Sequence, residues 1–365
     1  MPKKEPAYVF IVFVALAIYP SGLCFIRALQ CKSLFFVLKQ RKTSSLAQEM
    51  PKRKLEHDVI DLTSNDDEGN SKPTALPSQL SFNLMSYNID GLNEDALDER
   101  WMGVRNIVIR ENPDIIFFQE VTPYLFPKVS QLKGVGYVCS DSIASYSALG
   151  HYFTVILVKQ PWLTSANTTA TFNRLAYSGQ AKSLQGRNII SCNLKTSSGV
   201  EILLLNLHLE SCGKAMESPE SATRVNQLVT ALRMVSTHPG PALCGGDLNL
   251  RNEEATVALR GCSVVDAAEL LRIDKKKWNT WYCPGKPMVA CRFDRLYSND
   301  VNRLQPVSMR IVGDEEVVYA SACSYKTFSD HRGLVVKYTT DLVVQSISNN
   351  EQSSSSNEAL AGNTK

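Results

Sequence analysis

The chain has 365 residues, of which 44% are hydrophobic and 21% charged, so composition excludes a low-complexity or fibrous protein and indicates a globular core. The net charge of +3 is uneven: residues 1–56 carry ten Lys and Arg against three Asp and Glu, which leaves the rest at −4. A broad basic surface for nucleic acid is thereby excluded for the main body, and a phosphate polymer would have to be held at a local site. The ten cysteines show no Cys-x-x-Cys pair, which favours reduced thiols over a disulfide or zinc framework.

An uncharged stretch at residues 8–26 is the first element along the chain. Its length is just enough to span a bilayer, and the Lys and Arg that follow it would place the C-terminal body on the cytosolic side. Met50 offers a second interpretation, because Lys52-Arg53-Lys54 follows it as a short basic run typical of a nuclear address. We expect a nuclear protein in which residues 1–49 are an extension that does not govern location; a membrane anchor is the alternative.

Residues 50–79 are polar and without periodicity, which predicts a disordered linker. Within them Val59-Ile60-Asp61-Leu62-Thr63 is followed by three acids and resembles a SUMO-interacting motif, because a short β-branched run can add as a strand to a partner's sheet edge. Chance explains so short a motif equally well. The Ser- and Asn-rich tail, residues 345–365, is also expected to be disordered.

Residues 80–344 show a regular alternation of short apolar runs with polar or helical stretches. The predicted strands are residues 82–87, 115–118, 153–158, 189–194, 202–207, 242–244, 292–297 and 333–337, and helical spacing occurs at 100–110 and 222–235. Both faces of the strands consist of apolar residues. The pattern therefore predicts an α/β domain with two packed sheets and helices outside them.

Polar residues end or border five of these strands. The segments are Ser86-Tyr87-Asn88, Phe118-Gln119-Glu120, Asn206-Leu207-His208-Leu209-Glu210-Ser211, Gly246-Asp247-Leu248-Asn249 and Ser329-Asp330-His331. They are scattered over about 245 residues, so only folding can bring them together.

Two carboxylates and two amides in these segments suit phosphate chemistry. Glu120 is a hard oxygen donor that suits Mg²⁺, although a helix cap or salt-bridge acid is the simpler alternative. Asn88 could orient Glu120 or a metal-bound water, or be an ordinary turn residue. Asp247 could accept a proton from water, and Asn249 could hold that water or a phosphoryl oxygen.

The histidines and two further acids complete the set. His208 and His331 could donate hydrogen bonds to charge that develops on a pentacoordinate phosphorus. Asp294, in Arg292-Phe293-Asp294-Arg295, could hold His331 in the required tautomer, and Asp330 could reach a metal-bound water. A single histidine is more often structural, but two of the five in the chain fall beside acids.

These segments, in this order and spacing, resemble the endonuclease/exonuclease/phosphatase superfamily, which includes DNase I and the AP endonucleases. The resemblance covers about residues 80–342, and within the superfamily it is most similar to the tyrosyl-DNA phosphodiesterase 2 branch. It implies a four-layer α/β sandwich, DNase I-like. It also implies Mg²⁺- or Mn²⁺-dependent hydrolysis of the phosphodiester that joins a tyrosine to a DNA 5′ end, as left by a trapped topoisomerase II.

Site residues follow from the same resemblance. It assigns the core site to Asn88, Glu120, Asp247, Asn249, Asp330 and His331, with His208 and Ser211 near phosphate. It places Arg251 against the DNA strand and Trp281 beside the substrate, although a core position would explain a tryptophan equally well. Where this branch often has Ser-Thr-Arg-Gly, the chain has Ser211-Cys212-Gly213-Lys214, so one basic contact is moved to Lys214 or lost.

Two other interpretations remain open at this stage. The first is another phosphodiesterase on the same scaffold: a sphingomyelinase, an inositol-phosphate phosphatase or an AP endonuclease. The second is a non-catalytic adaptor that binds SUMO or DNA through residues 59–63. Acids and histidines at all the expected positions favour an enzyme, because binding alone requires none of them.

Overall fold

The computed structural model describes residues 79–142, 149–211, 218–284, 286–299, 303–319 and 326–341. Within these ranges two mixed sheets of six strands each pack face to face, and helices cover their outer faces. The apolar stretch at 8–26, the linker with Val59–Thr63, Lys214 and the C-terminal tail lie outside the described residues.

The first sheet contains both ends of the described domain. Its strands are β1 (Gln79–Asn88), β2 (Ile115–Val121), β3 (Tyr137–Cys139), β4 (Phe153–Lys159), β13 (Gln305–Val312) and β14 (Gly333–Asp341). They lie in the order β13-β14-β1-β2-β4-β3. β1 and β2 are parallel, and the other neighbouring pairs are antiparallel.

The second sheet repeats this plan with one parallel pair at its centre. Its strands are β5 (Thr168–Ala176), β6 (Asn188–Thr196), β7 (Glu201–His208), β8 (Ala242–Asp247), β9 (Val265–Asp266) and β12 (Asp294–Ser298). They lie in the order β5-β6-β7-β8-β12-β9, with β7 parallel to β8. A separate hairpin is formed by β10 (Trp281–Cys283) and β11 (Lys286–Cys291).

The six α-helices among the described residues are α1 (Leu97–Glu111), α2 (Phe126–Ser130), α3 (Gln160–Ser165), α4 (Pro219–Thr237), α5 (Asn252–Ala258) and α6 (Ala267–Leu270). Four of the six cover the outer faces of the sheets, whereas α3 and α6 contribute Leu163 and Ala267 to the apolar cluster between the sheets. α1 and α2 pack on the first sheet and α4 on the second, while a third apolar cluster fills the space between the sheets. Alternation along β2 shows the arrangement, because Phe117 belongs to the cluster between the sheets and Phe118 to the one under α1.

The predicted four-layer α/β sandwich is confirmed, and the eight predicted strands and two helices are all present. The boundary at 292 was wrong, because β11 ends at Cys291 and β12 begins only at Asp294. Sequence patterning missed the four edge strands β3, β5, β9 and β13 and the hairpin of β10 and β11; β5 and β13 each have an exposed face without an apolar pattern. Among the described residues, no helix is both long and apolar enough to cross a membrane.

Candidate active site

The polar segments meet because the parallel strands of each sheet end at one common edge. β1 and β2 end near Asn88 and Glu120, and β7 and β8 end side by side with His208 opposite Asp247. The amide of Asn88 donates from Nδ2 to Asp247 Oδ2 at 2.9 Å, which joins the first sheet to the second. The predicted convergence of these side chains is therefore what the structure shows.

Two residues reach this edge from the opposite direction. Asp294 begins β12, which is antiparallel to β8, and pairs in register with Asp247. His331 precedes β14, which is antiparallel to β1, and forms an isolated bridge with Trp281. Ser329-Asp330-His331 was expected at the end of a strand, and this was wrong because the segment directly precedes β14; Asp294 lay inside the predicted strand 292–297 and is the first residue of β12. Antiparallel strands begin where their neighbours end, so the residues still reach the site.

Backbone in the left-handed region marks the loops of this edge. Asp90, Glu120 and Asn249 have φ angles of 47°, 56° and 51°, a conformation that costs free energy for residues other than glycine. The ladder between β2 and β4 is irregular between Phe118 and Val121, which turns Glu120 out of the sheet. A Cβ on Gly91 would lie 2.2 Å from the Glu120 carbonyl oxygen, so only glycine fits there. Concentrated strain of this kind is typical of a functional site.

Asp247 is the centre of the arrangement. It is 1% exposed, and its Oδ2 lies 3.3 Å from His208 Nε2 and 3.6 Å from His331 Nε2. Its Oδ1 accepts a hydrogen bond from the backbone N–H of Asn249. Burial alone would raise the pKa of Asp247, but His331, His208 and the Asn88 amide outweigh it and lower that pKa below its ordinary range. Asp247 is therefore a carboxylate at neutral pH.

His331 and Asp294 form a buried pair beside Asp247. His331 Nδ1 lies 2.8 Å from Asp294 Oδ2, as predicted for a carboxylate that orients an imidazole. Burial would lower the pKa of His331, but its carboxylate neighbours, Asp294 first, raise it well above its ordinary value. Asp294 is held in turn by its backbone N–H, which donates to Thr280 Oγ1. His331 is thus a cation that presents Nε2 toward Asp247 and Asn88.

His208 has different surroundings. Arg187 Nη1 lies 2.5 Å from His208 Nδ1, and the Arg187 guanidinium lies over the ring of Tyr152 at 4.7 Å. Burial and the Arg187 charge lower the pKa of His208 to about 4, so this imidazole is neutral. Its buried Nε2 has no hydrogen-bond partner among the described residues. The two histidines are therefore a neutral group and a cation on either side of Asp247.

Glu120 is the acid best suited to a metal ion. Burial raises its pKa to about 7, and the carboxylates of Asp90 and Asp247 add to the effect. Its Oε1 lies 3.7 Å from His208 Nε2, and Glu120, His208 and Asp247 together form one of the clusters that could hold an ion. These carboxylates repel one another, and a divalent cation bound between them would reduce the repulsion. The residues present therefore fit a divalent metal.

Asp330 does not join that cluster of ligand atoms. Its Oδ2 accepts a hydrogen bond from Trp281 Nε1 at 2.8 Å, and its Oδ1 lies 4.0 Å from His331 Nε2. Its negative charge nevertheless raises the pKa of Glu120, so it faces the same cleft. Trp281 is half-buried and its ring lies 5.3 Å from that of Phe293, so it is a side chain of the site rim and not of the core.

The remaining predicted contacts lie on the rim. Asn249 donates to the Leu209 carbonyl, and Ser211 Oγ accepts from Arg187 Nη2 at 3.3 Å. Arg251 caps α5, where its backbone N–H donates to Glu254 Oε2, and its side chain is 37% exposed. Lys214 lies outside the described residues.

Sequence reasoning missed two buried arginines. Arg187 contacts His208. Arg100 of α1 donates to the carbonyl oxygens of Asp90 and Phe328, and so joins the loop after β1 to the loop before β14. Arg100 had a detectable signal, because it falls on the apolar face of α1 between Leu97 and Val104, where an unpaired charge would be costly. Arg187 lies in a loop without periodicity, so no comparable signal existed.

Comparisons with known proteins agree with this geometry. The chain is 32% identical over 223 residues to the 5′-tyrosyl-DNA phosphodiesterase of Caenorhabditis elegans, an alignment that covers 59% of this chain and 56% of that protein. It is 27% identical over 330 residues to tyrosyl-DNA phosphodiesterase 2 of Rattus norvegicus, covering 84% and 82%. The crystal structure of truncated Caenorhabditis elegans TDP2 superposes with a TM-score of 0.56 at 26% identity, covering 71% of this chain and 97% of that one. The model of the Endonuclease/Exonuclease/phosphatase family matches residues 85–331, and the chain belongs to that family.

Proposed function

We propose that this protein hydrolyses the phosphodiester bond between a tyrosine and a DNA 5′ end, with Mg²⁺ or Mn²⁺ as cofactor. The observation that carries the proposal is the convergence on Asp247 of Asn88, two imidazoles in different charge states and the metal-suited Glu120. The names of the relatives supply the substrate class, since the same scaffold hosts several chemistries.

Asp247 is the group proposed to act on the attacking water. It is ionised at neutral pH, and the Asn88 amide fixes the direction of its Oδ2. A water that donates to this carboxylate is held with its lone pair toward the phosphorus, and its proton passes to Asp247 as the bond forms. Asn249, whose backbone N–H already bonds Asp247, extends its side-chain amide at the same edge.

The histidines stabilise the charge that develops on the phosphoryl oxygens. His331 offers a cationic N–H donor, and Asp294 keeps it protonated and oriented. His208 offers a neutral Nε2 that has no other bond among the described residues. A divalent ion at Glu120, with Asp330 facing the same cleft, would neutralise a phosphoryl oxygen. Fixed donors of this kind act strongly because they need no reorganisation during the reaction.

The leaving group matches the donors available. A tyrosine phenolate has a reference pKa of about 10, so it departs more readily than a sugar alkoxide and depends less on a strong general acid. Trp281 and Arg251 on the rim are proposed to contact the DNA, together with Ser211 near the phosphate. Topoisomerase II–DNA adducts are the proposed natural source of the substrate, which agrees with the proposed nuclear location; use of Val59–Thr63 to bind SUMO also remains a proposal.

The direct test compares three substrates in parallel: a 5′-tyrosyl oligonucleotide, an abasic duplex and sphingomyelin. The proposal predicts Mg²⁺-dependent release of tyrosine from the first, loss of that turnover in EDTA, and little turnover of the other two. Asp247→Asn should remain folded and lose about 10²- to 10⁴-fold in kcat. Asp341→Asn, a matched change at the exposed end of β14, should keep wild-type turnover. Preference for either other substrate would contradict the proposal.

A further inference from the structure

A fully buried ion pair holds the first turn of α5, the helix that Arg251 caps. Glu254 is 0% exposed, and Arg224 of α4 is 1% exposed. Arg224 donates to Glu254 Oε1 from Nε at 2.9 Å and from Nη2 at 2.5 Å, and Ser221 Oγ donates to the same oxygen. Burial would raise the pKa of Glu254, but these donors lower it below its ordinary value, so the pair is charged at neutral pH.

The second oxygen of Glu254 binds the residue that caps the helix. Glu254 Oε2 accepts a hydrogen bond from the Arg251 backbone N–H at 2.7 Å, and Arg251 Nη1 lies 4.0 Å from the same oxygen. Because Arg224 compensates the Glu254 charge, the attraction that would draw the Arg251 guanidinium into the protein is reduced. The buried pair therefore fixes the Arg251 backbone and leaves its side chain at the surface, 37% exposed.

The residues on either side of Arg251 are anchored as well. Leu248 and Leu250 are 0% exposed and belong to the apolar cluster that α4 covers. Arg295 of β12 donates from Nη2 to Asn252 Oδ1 at 2.7 Å. The loop after β8 is thus held on both sides of Arg251, which restricts where this cation can reach.

Arg251 lies on the rim that carries the β10–β11 hairpin. Its charge acts on the Cys291 thiol of β11, where it opposes the rise in pKa that burial causes. Cys291 pairs in register with Trp281, the other rim residue proposed to contact DNA. A fixed cation near an aromatic side chain suits a single strand, because the cation neutralises a backbone phosphate and the ring can stack on a base.

We infer that Arg224 and Glu254 are a pair of positioning residues that hold Arg251 against a phosphate of the DNA strand beyond the scissile bond. The inference deepens the proposed function and rests on it for the identity of the strand. Since the main body has no broad basic surface, binding of the strand would depend on single cations that are fixed in this way.

Binding tests this role without turnover. Fluorescence anisotropy in EDTA measures the affinity for a 5′-phosphorylated single-stranded oligonucleotide over a range of salt concentrations. The slope of log K against log salt counts phosphate contacts, at about 0.7 per contact for a single strand. Arg224→Met and Arg251→Met should each reduce the slope by about 0.7 and weaken binding at low salt by about tenfold, and Arg224→Lys should recover part of the loss.

A matched control and a double variant test whether the pair acts through Arg251. Arg233→Met changes an exposed arginine of the same helix and should keep the wild-type slope. Arg224→Met combined with Arg251→Met should bind like Arg251→Met alone, because all three proteins lack the same contact. Additive losses, or an Arg224→Met protein with the wild-type slope, would overturn the inference.

A second variant guards against simple unfolding. Arg224→Met leaves a buried carboxylate whose main cation is gone, which endangers the fold. Arg224→Met combined with Glu254→Leu replaces both charges by apolar side chains and should remain folded in urea unfolding. It still removes the acceptor of the Arg251 N–H, so its slope should match that of Arg251→Met. A folded protein of this kind with the wild-type slope would refute the positioning role.

Kinetics on two substrates distinguish positioning from damage to the reacting groups. On the 5′-tyrosyl oligonucleotide, Arg224→Met should raise KM about tenfold with a smaller change in kcat. On the p-nitrophenyl ester of thymidine 5′-phosphate, which has no further strand, the loss of kcat/KM should be much smaller. Equal losses on the two substrates would contradict a role in holding the strand.

The readouts separate this inference from the proposed function. If the wild type failed to release tyrosine while the salt slope depended on Arg224, the substrate would be wrong and the positioning role would stand. If tyrosine were released but the slope did not depend on Arg224, the function would stand and the positioning role would fail.

Discussion

Glu120→Gln should abolish turnover and at the same time stabilise the metal-free protein. The Glu120 side chain is 17% exposed, and its pKa is raised from 4.5 to about 7, first by burial and then by the carboxylates of Asp90 and Asp247. A raised carboxyl pKa means that the folded state disfavours the ionised form. Because the folded protein then retains a proton that the unfolded chain releases, stability falls as pH rises from about 4.5 through about 7.

The size of the effect follows from that shift. A shift from 4.5 to about 7 corresponds to about 3 kcal/mol of destabilisation at pH 8, and to about 1 kcal/mol at pH 5, where the folded protein keeps Glu120 protonated. Glutamine has nearly the same shape and no charge to desolvate. Glu120→Gln should therefore raise the free energy of unfolding by up to about 3 kcal/mol at pH 8 and by much less at pH 5.

Urea unfolding in EDTA, at pH 5 and pH 8, measures this difference directly. The wild type should regain stability at pH 8 when Mg²⁺ is added, because the ion binds only the folded state, and the variant should not. Glu253→Gln is a matched control, since Glu253 is exposed in the first turn of α5. A Glu120→Gln protein that is no more stable than the wild type at pH 8 would refute the assignment of Glu120 as a strained metal ligand.

Three further variants test the neighbouring groups. Asp294→Asn should lower the pKa of His331 and reduce the free energy of unfolding by about 3–5 kcal/mol, because it breaks a buried pair. The raised pKa of His331 stabilises the fold fully only below about pH 6.5, and this contribution is lost as pH rises through the folded pKa. The loss of stability measured by urea unfolding should therefore shrink toward high pH, and a loss that is the same at every pH would contradict the pairing. Gly91→Ala should weaken Mn²⁺ binding in calorimetry, since its Cβ would meet the Glu120 carbonyl oxygen at 2.2 Å, and unchanged affinity would show that this loop does not set the site. Trp281→Phe removes an indole donor to the Asp330 carboxylate, worth about 1.5–3 kcal/mol, so kcat/KM should fall by about 10- to 100-fold, and wild-type kinetics would exclude Trp281 from the site.

The central strands and the site on them could be predicted because two local rules coincide. Continuous apolar runs such as Ile115–Phe118 indicate strands buried on both faces, and polar residues directly after such runs fall at a sheet edge. Asn88, Glu120, His208 and Asp247 were all found in this way. That the beginnings of the strands after Asp294 and His331 lie at the same edge as the ends of β1 and β8 could not be seen, because strand direction depends on pairing partners far along the chain.

The supporting groups show where sequence reasoning stops. Arg187 contacts both His208 and the ring of Tyr152, and neither Arg187 nor Tyr152 lies in a periodic segment. The edge strands β5 and β13 were missed because an exposed face carries no apolar pattern. Local pattern thus identifies the residues that could do chemistry, whereas the tautomer, charge state and orientation of each depend on contacts that only the fold creates.

A crystal structure of the Asp247→Asn protein with a 5′-phosphorylated oligonucleotide and Mg²⁺ would show directly whether these side chains act on one phosphorus. We expect the terminal phosphate within hydrogen-bond distance of both His208 and His331, with the ion bound by Glu120. A phosphate bound elsewhere, or an ion bound away from Glu120, would contradict the claim that these side chains act on one phosphorus.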